Sequence, residues 1–183
     1  IRVGDLLYAA RRAKEYFNMD AMEPTAIDQI FLSIHGNRFL EDKITGSIVG
    51  EDEIADAASP ELTDIRRHKR AASAKGRQIL QKIISSPSYK STLQEALITQ
   101  RDGRFVVPVK AEHRGDLPGL VHDISASGAT LFVEPMGVVQ ANNELKELEA
   151  KEKKEIERIL FALSAEAAGF SEAILWDYDI LVH

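Results

Sequence analysis

The chain has 183 residues, 44 % hydrophobic and 28 % charged, with 23 Lys or Arg against 29 Asp or Glu and no cysteine. That length suffices for one domain with a real core, or for an elongated domain with a small insert. The absent thiols exclude disulfides, cysteine nucleophiles and cysteine-ligated zinc and fit a reducing cytoplasm, and the lack of an apolar run of about 18 residues or a signal-peptide pattern argues against a membrane span.

The net charge of −6 hides a segregation: residues 1–64 carry 6 basic and 13 acidic side chains, 65–94 carry 8 and 0, and 95–183 carry 9 and 16. Overall acidity opposes strong non-specific nucleic-acid binding, yet a concentrated basic segment can still neutralise phosphates locally. The chain starts at Ile1 without Met and ends at Ile180-Leu181-Val182-His183 within an apolar helical pattern, so a piece excised from a longer protein is expected.

Leu6, Leu7, Ala10, Ala13 and Phe17 recur at helical spacing and predict a helix over 2–18, with Arg11, Arg12 and Lys14 outward. Met22-Glu23-Pro24-Thr25 breaks it, Asp20 or Thr25 is the candidate cap of a second short helix over 26–34, and His35-Gly36-Asn37 stops that one. A third short helix is expected over 39–49 and a loop over 50–58. Ser59-Pro60-Glu61 then starts a helix with a mechanism. The serine accepts from first-turn amides, proline fits the first position, and glutamate favours the positive end of the dipole. Its seam to about Ser85 is Leu62, Ile65, Lys69, Ala72, Gly76, Ile79 and Ile83, a coiled-coil-like stripe with a polar or small middle.

Residues 95–143 are the one stretch that does not read as helix. Four short strands are expected, at 96–101, 104–111, 120–124 and 129–134. Asp102-Gly103 makes a type I′ hairpin turn, Gly115 with Pro118 and Gly119 a second turn, and Ser125–Gly128 a third. Phe105, Val107 and Val109 share one face of the second strand, and Pro108 places that strand at an edge or over a local break. The longest helix follows from about Val138 to Gly169, roughly 45 Å, with Leu145, Leu148, Ile156, Ile159, Leu160 and Leu163 on one side. A last helix over 171–183 has Trp176 as its expected core anchor.

The runs RDGRFVVPVKAEHRG, GLVHDISASGATLFVEP and NNELKELEAKEKKEIERIL, with DEIADAASPELTDIRR upstream, resemble the middle of bacterial MutS paralogues of the second type, over roughly 48–163. The resemblance implies a mainly α fold, a helical bundle whose long antiparallel lever helices carry a small inserted antiparallel β clamp. It divides the chain into core and lever helices over 1–92, the clamp over 93–136, and the returning lever and core helix over 137–183. It further implies a homodimeric cytoplasmic parent with an ATP- and Mg-dependent ATPase domain and a C-terminal nuclease domain. Such a parent suppresses homologous recombination and acts on stalled ribosomes. No GxxxxGK[ST] phosphate loop is present in these residues, so no ATP site is expected in this chain and no cofactor of its own.

Candidate sites follow from charge. Arg101, Arg104, Lys110, His113 and Arg114 lie around Asp102-Gly103 and Gly115, where phosphate contact needs cations and small-residue amides, although Asp102, Glu112 and Asp116 share those loops. Arg66, Arg67 and Arg70, with His68, Lys69, Lys75, Arg77 and Lys82, read either as a phosphate track or as the counter-charge of Glu147, Glu149, Glu152, Glu155 and Glu157 on the long helix. Ser125–Thr130 is an anion loop or, more simply, a turn whose serines bond their own backbone. Asn142-Asn143 reads as a cap or polar interface. His35, His68, His113, His122 and His183 have no metal spacing, and His122-Asp123 beside Ser125 does not make a hydrolase. The expected partner is nucleic acid, DNA or possibly rRNA on the ribosome. A dimerisation arm joined through the 62–83 and 145–163 seams stands as the alternative.

Overall fold

Ser59 starts a helix as its type and position predict: its hydroxyl oxygen accepts the Leu62 N–H at 3.0 Å, and α4 then runs Pro60–Ile84. The computed structural model describes residues 2–17 and 27–182. The expected break at 22–25, the caps Asp20 and Thr25, and His183 lie outside them. Before α4 come α1 (Arg2–Phe17), α2 (Asp28–Ser33), α3 (Arg38–Ser47) and a hairpin of β1 (Ile48–Gly50) and β2 (Glu53–Ile54). After it come β3 (Thr99–Arg101), β4 (Arg104–Lys110), β5 (Gly119–Ile124), β6 (Thr130–Pro135), α5 (Met136–Gly169) and α6 (Ser171–Val182). The chain is thus mainly helical with two small antiparallel sheets. Among the described residues no single helix is long and apolar enough to cross a membrane.

Two compact units divide the chain, Ile1–Thr63 with Lys154–His183, and Asp64–Lys153. The first is built on Leu7, Leu40, Ile44, Ile54, Leu62, Ile159 and Leu163. Its β1–β2 hairpin replaces the loop expected over 50–58. The paired residues are only Ile48 with Ile54 and Gly50 with Glu53, and an irregular register leaves no alternation to read. Arg11 and Lys14, expected outward, turn to partners instead. Arg11 donates to both oxygens of buried Glu41 at 2.8 and 2.9 Å, and Lys14 Nζ donates to the Ile34 carbonyl at 2.9 Å, one of the acceptors a helix end leaves open. Trp176 is not the core anchor: it is 52 % exposed, its indole N–H donating to the Ser33 carbonyl at 3.2 Å. The buried residue is its neighbour Asp177, 1 % exposed, whose carboxylate accepts the backbone N–H groups of His35 and Gly36, each at 2.8 Å. Those two free amides select the carboxylate over the indole, which sets the helix one residue around from the hydrophobic reading.

The second unit packs one face of a four-stranded sheet, in the order β3-β4-β6-β5, on helical residues. Phe105, Val107, Val109, Leu131 and Val133 share a core with Ala72 and Leu80 of α4 and Val138, Leu145 and Leu148 of α5. The β3–β4 turn is the expected one, with Asp102 and Gly103 at φ of 50° and 72°. Pro108 lies in an interior strand, paired with Phe132 on one side. On the other side its carbonyl accepts the Gln94 N–H at 2.9 Å, where the neighbouring chain breaks before β3 begins at Thr99. The local break, rather than an edge, accommodates the missing donor. The outer strands are irregular: β3 has three residues, and β5 shifts register between Val121 and Asp123. Ser125–Gly128 is a turn, closed by Gly128 N–H on the Ser125 carbonyl at 2.8 Å, with the Ser125 hydroxyl accepting from Thr130 N–H at 3.0 Å.

Candidate functional site

The second unit encloses a charge. Glu134 stands in the apolar run Leu131–Pro135 and is fully buried. Its Oε1 accepts from Asn142 Nδ2 at 2.7 Å and from Arg104 Nη1 at 2.8 Å, and its Oε2 meets His122 Nε2 at 2.5 Å. Burial pushes this carboxyl up, but the bonds from Asn142, His122 and Arg104 outweigh it and hold the group below the ordinary carboxylate range. Asn142, one turn and a half into α5, also brackets Phe105, accepting its N–H and donating to its carbonyl, each at 3.1 Å. Arg104 ends the set at the surface, its Nη2 donating to exposed Asn143 at 2.8 Å. Of the two readings of Asn142-Asn143, cap or polar interface, the cap fails because α5 already begins at Met136, and the polar interface holds, while Glu134 escapes a reading by charge clusters. A lone glutamate between Val133 and Pro135 is the available signal, since a buried carboxylate requires partners.

The five cations expected together around the insert's turns are not in one place. Arg101 and Arg104 flank the 102–103 turn at the start of β4, where the Cα of Gly103 faces Lys146 and Glu149 of α5. Lys110, His113 and Arg114 follow the other end of the same strand, about 20 Å away for seven extended residues. The Arg101 guanidinium lies over the Phe132 ring, 3.7 Å from its centre, and bonds Asp123 at 2.9 Å. His113 Nδ1 meets Asp116 at 2.7 Å, Lys110 is half-buried, and Arg114 is exposed.

The basic segment of α4 divides likewise. Arg66 and Lys69 bond opposite oxygens of Glu152 on α5, at 2.7 and 2.8 Å, so the counter-charge reading accounts for these two. Burial pushes the Glu152 carboxyl up, and the bonds from Lys69 and Arg66 bring it below its ordinary range. Arg67 forms an exposed pair with Asp64 at 3.0 Å, and Arg70 is also exposed. Gly76, against Ala141 and Phe105, lets α4 and α5 approach where the seam is small, as its composition predicts. Among the described residues no group of three His, Asp or Glu is placed to hold a metal ion.

No protein-family model matches the chain. Among curated proteins it is similar to Endonuclease MutS2 of Ruminiclostridium cellulolyticum, 48 % identical over 92 % of this chain and 22 % of that protein. It is 47 % identical to Endonuclease MutS2 of Alkaliphilus oremlandii and 43 % to that of Acetivibrio thermocellus, each over 99 % of this chain and 23 % of the relative. The chain therefore spans less than a quarter of the length of these relatives.

Proposed function

Because the chain is a segment of the MutS2 family, we propose that it is the lever-and-clamp portion of a nucleic-acid-binding protein, with lever helices over 1–92 and 137–183 and a clamp over 93–136. The observation that carries this reading is a four-stranded sheet inserted between α4 and α5, with Arg101 and Arg104 at one end of β4 and Lys110, His113 and Arg114 at the other. Phosphate contacts position a protein on a nucleic acid without reading sequence, and cations at both ends of a short rigid sheet suit that task. Arg67 and Arg70 on α4 extend the same field. Contacts between α4 and α5 run in opposite order along the chain, Arg66 and Lys69 to Glu152 and Gly76 to Ala141, as expected of antiparallel levers. The segment binds and transmits and performs no chemistry itself. ATP and Mg, nuclease activity, homodimer formation, suppression of recombination and action on stalled ribosomes in the cytoplasm belong, on this reading, to the parent.

The test is a salt titration of the full-length protein on duplex DNA, branched DNA and structured rRNA, with and without Arg101→Glu, Arg104→Glu and Arg114→Glu together. The expected result is weaker binding and a flatter slope of log K against log salt in the triple variant, by about 0.9 for each duplex phosphate that is no longer neutralised. Undiminished binding by a folded variant moves the contact to Arg67 and Arg70. The preferred ligand separates a DNA clamp from a ribosome-binding one.

One observation favours a second reading as an assembly arm. Of the 18 large hydrophobic residues exposed in the described chain, all but Leu97, Leu120, Ile124 and Met136 lie in the first unit. They include Leu32, Phe39, Leu175 and Trp176, and Leu32 and Trp176 border an open groove of about 670 Å³. The 62–83 and 145–163 seams are largely occupied within the chain, since Leu62, Ile65, Leu145, Leu148 and Leu163 are buried in its own cores. Absence of nucleic-acid binding together with a stable dimer would establish this second reading.

A further inference from the structure

Arg104 serves two partners. One guanidinium nitrogen donates to the buried carboxylate of Glu134 on β6 and the other to the exposed amide oxygen of Asn143 on α5. Its side chain is 19 % exposed, so it lies between a fully enclosed anion and solvent. A guanidinium has five donors, and a phosphate takes two of them in parallel, a stronger arrangement than a single bond to a neutral amide. A phosphate arriving beside Asn143 thus meets a cation whose natural geometry it can satisfy better than its present outer partner does. The inner partner is a different matter. Glu134 is an anion, and withdrawing Arg104 from it leaves a buried carboxylate with only His122 and Asn142 as donors.

We propose that Glu134 is an internal stand-in for ligand phosphate, a latch that holds Arg104 in reserve and ties β4 and β6 to the first turns of α5 until a nucleic-acid backbone takes the guanidinium over. The proposal rests on the nucleic-acid reading above and adds its regulation. Capture of Arg104 breaks the bond to Asn143 and loosens the set at Glu134, through which Asn142 holds the backbone of Phe105. One event at the sheet therefore reaches α5 through two adjacent residues of its own. The latch also sets a threshold: a lone weak anion does not offset the exposure of Glu134, whereas a polyanion held at other cations does.

The test uses the full-length protein with a labelled DNA duplex and, in a second arm, a structured RNA of similar length. Glu134→Gln keeps the side chain's shape and removes the competing charge. It should tighten binding by about tenfold, the worth of one charge-assisted hydrogen bond, and steepen the salt slope by about 1. Arg104→Ala on that background should abolish both gains. Glu144→Gln, an equal charge change at an exposed site on α5, should produce neither. Asn143→Ala removes only the exposed partner, leaves the enclosed set in place and should shift affinity in the same direction by a smaller factor. In hydrogen exchange, ligand should deprotect the Phe105 amide in the wild type. Binding by Asn143→Ala and a folded Glu134→Gln equal to wild type, or a gain that survives Arg104→Ala, overturns the latch while leaving the nucleic-acid reading intact. Failure of every form to bind either nucleic acid at low salt overturns both.

Discussion

Gly119 has no room for a side chain. A Cβ there would stand 2.4 Å from the Glu134 carbonyl oxygen and 2.7 Å from Cγ1 of Val133, and the nearer atom is backbone that cannot turn aside. Gly119→Ala should therefore force β5 from β6 at the pair Gly119–Pro135 and cost about 1–3 kcal/mol, the usual range for overpacking. Gly115→Ala, with nothing within 4 Å of its added carbon, should stay within about 0.5 kcal/mol of wild type. Urea midpoints of the two variants compare them directly, and equal midpoints would show that β5 yields at no cost. The sequence marks both glycines as turn residues and does not tell them apart, because the difference is made by a strand 15 residues further on. The same applies to Arg101 and Arg104. Their charge is plain in the sequence, but Asp123 and Glu134, which hold it, are distant in the chain and meet them only in the fold.

At the scale of elements, α5 carries the largest share of order, with 34 residues from Met136 to Gly169. Leu148 is in its buried stripe, so Leu148→Pro removes a backbone bond, inserts a ring clash and empties a core position together. The helix interior alone should lose about 3 kcal/mol or more. A circular-dichroism melt should show a large fall in midpoint with reduced helical signal, and an unchanged melt would mean that this turn of α5 is not helical in solution. Helix ends are legible where side-chain chemistry marks them. Ser59-Pro60 begins α4 within one residue of the expected start because the cap is local. The β1–β2 hairpin is not, since Gly50-Glu51-Asp52 lacks an apolar alternation on either side, and its pairing depends on a core to which Ile54 contributes one side chain.

Across the whole molecule, four glutamates among the described residues make stability depend on acid pH. Arg158, and after it Ser59, hold the Glu155 carboxyl at about 2 against an ordinary 4.5, and Glu134, Glu152 and Glu15, the last through its bond from Arg11, are also lowered. A lowered carboxyl contributes its stabilisation in full above the ordinary value and loses it as pH falls through the folded one. Resistance to urea should thus fall from about pH 5 down to pH 2, and Glu155→Gln should flatten part of that slope. A wild-type profile level through this interval would show that these pairs do not form in solution. Fold class is readable in the sequence through helical spacing and the turn residues of 95–143; the enclosed anion is not, for a charge inside an apolar strand carries no periodic signature. The sheet's irregular margins have a last consequence, for colloidal behaviour. Long, flat strand edges recruit further strands from other molecules, whereas very short or bulged ones do not. With three residues in β3 and a slipped register in β5, this sheet offers a second copy no continuous row of amides. Copies of the protein that meet through this sheet will not grow into a ribbon.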